Sequence, residues 1–171
     1  MRGDVRRPTP VAGRGARGRP VRLECASVLH AAPEDVWERV GTVDGVNLEL
    51  APWLRMTAPR DARRLEDLPL GERAYRSWVL LLGLVPVDLD DLTLVRVDPL
   101  HGFLERSATL WARPWEHERT LVRHPEGTVL SDRVEARPRP RVPARMHDAA
   151  VRAAFAHRHR RLRAAFGGRP A

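Results

Sequence analysis

Five consecutive segments of alternating apolar and polar residues constrain the fold of this chain more than any other feature. They cover residues 72–82, 86–97, 102–110, 113–123 and 128–137. Such alternation is typical of β-strands with one buried face. Mostly short connections join them, among them Gly83-Leu84 and the turn at 124–127. Because parallel strands need long crossovers, these connections favour an antiparallel meander.

A strand and two short helices are predicted before this meander. Residues 21–29 alternate like a half-buried strand. Pro33 and the acids after it suit the first turn of a helix that ends at Gly41. A second short helix is predicted over 44–54, bent near Pro52, and 58–71 is predicted as a loop.

A long helix is predicted after the meander, over residues 143–166. This segment has no internal Gly or Pro, and its apolar stripe comprises Val151, Phe155, Leu162 and Phe166. A curved antiparallel sheet has one face to bury, and a long amphipathic helix can cover it. The sequence therefore predicts an α+β fold in which a curved antiparallel sheet wraps around a C-terminal helix.

Composition limits the class of protein further. All 30 basic residues are Arg, so the net charge of +8 is weaker support for nucleic-acid binding than it looks. The charge is +5 over residues 1–20, −6 over 21–136 and +9 over 137–171. The single cysteine, Cys25, excludes a disulfide framework. The longest apolar run, 78–87, is too short for a transmembrane segment, which needs about 20 residues.

The Gly-, Pro- and Arg-rich residues 1–20 lack any apolar period, so we expect a disordered tail before a single domain over 21–167. No apolar region follows Arg6-Arg7, which argues against an export signal, and we expect a cytoplasmic protein.

Four stretches of sequence resemble one known superfamily. They are 30–37 (HAAPEDVW), 115–119 (WEHER), 127–133 (GTVLSDR) and 155–162 (FAHRHRRL). With the order of elements, they resemble the helix-grip fold of the START and birch-pollen-allergen superfamily, also called SRPBCC, over about residues 20–167. The resemblance implies an elongated apolar cavity between sheet and C-terminal helix. It does not imply one reaction, since members include lipid binders and polyketide cyclases.

The alternation places polar candidates on inward faces of the last two strands of the meander. Asp132 lies between Leu130 and Val134, which should face inward. A buried carboxylate needs a partner, and His117 or Arg119 on the neighbouring strand can supply one. The pair is either a structural brace or a polar anchor for a ligand.

Further candidates lie on the helices and on other strands. Arg158 falls on the apolar stripe of the long helix and either reaches solvent or pairs with Asp132 or Glu49. Asn47 and Glu49, in the second helix, either form a solvated face or cap a ligand. Trp78 and Trp115 are candidates for core packing or for lining the cavity.

Metal, cofactor and nucleophile motifs have little support in this sequence. The seven His residues form no HExxH motif, and a zinc site is not expected with a single Cys. We expect no cofactor and no metal.

Three functions remain open at this point. The first is binding of a small hydrophobic or aromatic molecule with anchors from His117, Arg119, Asp132 and Arg158. The second is a polyketide cyclase, aromatase or dehydratase with His117 or Asp132 as acid–base. The third is weak polyanion binding through the basic ends, without specific nucleic-acid recognition. A monomer or a homodimer is expected.

Overall fold

The computed structural model describes residues 20–171, so the predicted tail 1–20 lies outside the described residues except for Pro20. The strands are β1 Val21–Leu29, β2 Leu54–Met56, β3 Arg73–Leu81, β4 Val85–Asp98, β5 Gly102–Thr109, β6 Ala112–His124, β7 Gly127–Pro138 and β8 Gly168–Pro170. The helices are α1 Pro33–Val40, α2 Val43–Leu50 and α3 Ala144–Phe166, with a short 3-10 turn at Leu65–Asp67.

The strands form a single antiparallel sheet with the order β2-β3-β4-β5-β6-β7-β1-β8. The meander β3–β7 follows chain order, and β1 adds to its far edge beside β7. The predicted α+β helix-grip fold is confirmed: two short helices follow β1, and α3 packs against β1 and α2.

One prediction at the level of elements was wrong, and two short strands were missed. The second helix ends at Leu50 rather than at residue 54, because Ala51 precedes a proline and takes an extended conformation. The chain then pairs as β2 with β3. The other missed strand is β8, which pairs with β1 after Gly167 ends α3 at a positive φ.

The interior contains two apolar clusters separated by a polar layer. On β7, Leu130 belongs to the first cluster and Val134 to the second. On α3, Leu162 belongs to the first cluster and Phe155 to the second. The predicted stripe of α3 is present, with Val151, Phe155 and Leu162 buried. The buried residues between these pairs include Asp132 on β7 and Arg158 on α3, which are charged and belong to the centre of the candidate site.

Candidate functional site

The polar layer is built around a buried pair, Arg119 on β6 and Asp132 on β7. The two residues lie directly opposite each other in the β6–β7 register, so their side chains share the inner face. Arg119 donates from Nε to Asp132 Oδ1 at 2.8 Å and from Nη2 to Oδ2 at 2.7 Å. The Arg119 side chain is 0% exposed, so this bidentate contact is shielded from water. The contact predicted for Asp132 is therefore present.

Glu49 brings α2 into the same layer. Arg119 donates to both of its oxygens, from Nη1 at 2.8 Å and from Nη2 at 3.0 Å. Arg158, from α3, donates from Nε to Glu49 Oε2 at 2.8 Å. The expectation of a solvated face is thus wrong for Glu49, whose side chain is buried because two guanidinium groups neutralise it.

Two histidines complete the layer from opposite sides of Asp132. His117 Nε2 lies 2.8 Å from Asp132 Oδ1, and His159 Nε2 lies 3.1 Å from Oδ2. His159 Nδ1 is also 2.9 Å from the Ser27 hydroxyl on β1. We call Glu49, His117, Arg119, Asp132, Arg158 and His159 the ion cluster.

The charges of the ion cluster hold its two carboxylates in the ionised form. Burial by itself would raise the pKa of Asp132, but the charge and hydrogen bonds of Arg119, with those of His117, hold it well below its usual range. The pKa of Glu49 is also lowered, because Arg119 and Arg158 outweigh the effect of burial. The two guanidinium groups of the ion cluster thus offset the charges of its two carboxylates.

The other predicted site residues lie elsewhere or act differently. Trp115 packs beside Phe155, with ring centroids 6.4 Å apart, next to the ion cluster. Trp78 is 45% exposed and lies on the opposite face of the sheet from Ser77, which is buried. Asn47 does not reach the cluster: its amide exchanges two hydrogen bonds with the backbone of Met56, which fixes α2 to β2.

A second polar group, not predicted from the sequence, lies on the inner face of β4 and β5. Asp90 and Glu105 are both buried, and Asp90 Oδ1 and Glu105 Oε1 have no hydrogen-bond partner. Burial, and then the charges of Glu105 and Asp88, raise the pKa of Asp90 well above its usual range. Two other buried polar atoms of the described residues also lack a partner, Arg137 Nε on β7 and His147 Nδ1 on α3. Alternation alone could have indicated Asp90 and Glu105, since each lies two residues from a buried neighbour on its strand.

One cluster has the residue types of a metal site. Cys25 Sγ, an Asp132 oxygen and a His159 nitrogen all lie within 4.8 Å of one another. These three residues suit a cation poorly, because both oxygens of Asp132 already accept hydrogen bonds from Arg119. Burial also raises the pKa of the Cys25 thiol to about 11, which disfavours the thiolate that a metal requires.

The curved antiparallel sheet with a long C-terminal helix packed against it is a helix-grip fold. Residues 27–166 match a family model described as a domain of unknown function, DUF8410, and the chain belongs to that family. No curated protein matches the chain.

Solved structures with this fold are similar to the chain over most of its length. Protein CV1439 from Chromobacterium violaceum is 17% identical with a TM-score of 0.64, over 87% of this chain and 98% of that one. A START superfamily protein from Mycobacterium smegmatis is 12% identical with a TM-score of 0.57, over 87% and 97%. Ara h 8.0201 is 12% identical with a TM-score of 0.54, over 84% and 98%. At these identities the likeness concerns the fold.

Proposed function

We propose that the protein binds a small, largely apolar or aromatic molecule between the sheet and the first half of α3. One observation carries this proposal: two buried carboxylates whose charges interact, on the neighbouring strands β4 and β5, each have an oxygen without a hydrogen-bond partner. The two atoms are Asp90 Oδ1 and Glu105 Oε1.

Unpaired buried polar atoms are uncommon, because each one loses its hydrogen bonds to water on folding without replacement. A ligand with hydrogen-bond donors supplies the missing partners for two carboxylate oxygens. The surroundings suit a ligand whose remaining part is apolar or aromatic, since Trp115 and Phe155 belong to the apolar cluster beside the proposed site. Asp90 and Glu105 are therefore the polar anchors in this proposal.

The ion cluster has a different role in the proposal. Both oxygens of Asp132 and of Glu49 already accept hydrogen bonds from within the cluster. These groups act as a brace that holds α2, α3 and the sheet together. His117 is the member that reaches the proposed binding site, since its Nδ1 faces Glu105 Oε2 at 3.7 Å.

Native mass spectrometry of the protein purified from its own host tests this proposal. We expect the wild type to carry a co-purified small molecule. The double variant Asp90→Asn with Glu105→Gln should lose it, because each substitution replaces one acceptor oxygen of the anchor with an NH2 group that only donates. Asp91→Asn is a matched control on the opposite face of β4, where Asp91 accepts a hydrogen bond from Arg76. An empty wild type, or equal loading of the double variant, contradicts the proposal.

A second candidate function is acid–base catalysis of the cyclase type on the bound molecule. The observation that favours it is the contact of His117 with Asp132, because a carboxylate on one ring nitrogen orients the other toward a substrate. Under this hypothesis, His117→Gln keeps the co-purified molecule but stops its conversion, as followed by the mass of the released compound. If His117→Gln releases the same compound as the wild type, the catalytic hypothesis fails while binding stands.

A further inference from the structure

An exposed apolar surface lies at the turn between β3 and β4. The four side chains concerned are exposed by 56% (Trp53), 56% (Leu82), 81% (Leu84) and 56% (Val85). The backbone of Leu82 donates to the carbonyl of Trp53 at 2.7 Å, which holds the tryptophan segment beside the turn. We call these four residues the apolar tip. Isolated exposed apolar residues are ordinary, but four of them on adjoining segments are typical of an interaction surface.

The backbone conformation at the apolar tip is also unfavourable for leucine. Leu82 has a φ of +52°, in the left-handed region where glycine or asparagine is usual. Its side chain is exposed, so packing within the fold does not compensate for this conformation. Since leucine favours neither the turn nor the packing of this chain, we infer that its side chain contacts another molecule.

Basic side chains adjoin the apolar tip. Arg55, Arg60 and Arg63 line an open groove of about 430 Å³ that also includes Leu80 of β3 and one acidic residue, Asp44. Arg55 connects the groove with the tip, because its Cδ would lie 3.8 Å from a Cβ at Gly83. Among residues 20–171, no carboxylate lies within salt-bridge distance of these three arginines.

We propose that the apolar tip and this arginine groove dock the protein on the surface of an anionic phospholipid bilayer. The apolar side chains protrude from a turn, so a fluid lipid layer can receive them without a complementary pocket. Tryptophan is favoured at the boundary between acyl chains and headgroups. Arginines beside it are attracted to anionic headgroups, and two such signals together give stable attachment where one gives little. This surface is distinct from the proposed interior site and does not depend on it.

Co-sedimentation with vesicles tests the proposal. The full chain is mixed with phosphatidylcholine vesicles or with vesicles that also contain phosphatidylserine. We expect binding to the mixed vesicles, and a loss of about tenfold or more when Leu84→Ser and Val85→Ser are combined. Val122→Ser is the matched control: Val122 is 59% exposed at the far end of the sheet, and its replacement should leave binding unchanged.

Charge variants separate the groove from the general basicity of the chain. Arg55→Glu should weaken binding to the mixed vesicles. Arg133→Glu, which makes the same charge change on the outer face of β7, should have a much smaller effect. Equal losses for the two variants mean nonspecific attraction and overturn the proposal.

Two further outcomes also overturn it. The first is a wild type that does not sediment with the mixed vesicles. The second is a wild-type dimer that becomes a monomer in the Leu84→Ser, Val85→Ser variant without any vesicle binding, since the tip then contacts a second copy. Circular dichroism of each variant checks folding, which these exposed substitutions should leave intact.

Discussion

At the scale of single residues, Arg119 makes the central contacts of the ion cluster. It is fully buried and donates to two carboxylates at once. Removing two charges from water is costly, and only close hydrogen-bonded contacts offset that cost. A buried pair of this kind therefore adds little net stability to the fold. The loss of either partner, however, destabilises the fold strongly.

Asp132→Ala should lower the free energy of unfolding by about 3–5 kcal/mol, because it leaves Arg119 with an unbalanced buried charge. Urea denaturation measures this change. Combining Asp132→Ala with Arg119→Met should cost less than the sum of the two single changes. The control is Glu135→Ala on the same strand, where the carboxylate pairs with exposed Arg22 and should contribute below about 1 kcal/mol. Additive losses in the double variant would show that the pair is not coupled.

Asp90 should make stability depend on pH in the direction opposite to Asp132. Its folded pKa is raised, so it stabilises the fold below its ordinary pKa of 3.8, and that contribution is lost as pH rises through the folded pKa. Asp90→Asn should therefore be more stable than the wild type at pH 7. The difference should shrink below pH 3.8, and melting temperatures across this pH range measure it. For Asp91, whose pKa the Arg76 hydrogen bond lowers, Asp91→Asn should instead reduce stability at pH 7.

The site residues differ in how far the sequence could predict them. Asp132 and Arg119 were predictable because strand alternation places each on the inner face, and neighbouring strands of a meander bring such residues together. The contact of Arg158 with Glu49 was one of the alternatives that the sequence left open. The contacts of Glu49 with Arg119 and of His159 with Asp132 were not predicted, because Glu49 and His159 lie on helices. Which helical side chain reaches the sheet depends on how each helix is rotated, and local periodicity does not determine that rotation.

At the scale of elements, α3 is held to the sheet by one apolar stripe interrupted by charges. Phe155 is the largest apolar contact of its first half: it packs beside Trp115, edge-on to His117, and under the guanidinium of Arg158 at 5.0 Å. Its contacts thus join the second apolar cluster to the ion cluster.

Phe155→Ala should destabilise the protein by about 3–5 kcal/mol, since it removes a buried ring and leaves a cavity. Met146→Ala on the same helix is the control, because Met146 is 50% exposed and its change should cost within about 0.5 kcal/mol. Thermal unfolding followed by circular dichroism distinguishes the two. A small loss for Phe155→Ala would mean that α3 does not depend on this contact.

Most of the elements were predictable, and the exceptions share a cause. The strands of the meander and α3 are long enough for their periods of two and 3.6 residues to repeat several times. β2 and β8 have three residues each, which is too short for a period to appear. Both are strands only because a longer neighbour, β3 or β1, offers a free edge.

At the scale of the whole molecule, no helix among residues 20–171 is long and apolar enough to span a bilayer. Residues 1–19 are rich in Gly, Pro and Arg and lack an apolar period, so we expect their removal to leave the melting temperature unchanged. The truncation also removes six arginines and should weaken binding to DNA at low salt. Binding of the full chain should already vanish near physiological ionic strength. A drop of several degrees, or sequence-selective binding at 200 mM salt, would contradict these expectations.

The shared use of Arg119 by two acids has a consequence for how the family can diverge. A relative that replaces Arg119 with an apolar residue retains two buried carboxylates without their main partner, and one that replaces only Glu49 leaves Arg158 unpaired in the interior. Single substitutions at these positions should therefore destabilise the fold, and a second substitution of the partner should offset part of that loss. We expect positions 49, 119, 132 and 158 to covary across DUF8410 sequences, either retained as a set or exchanged together for an apolar layer.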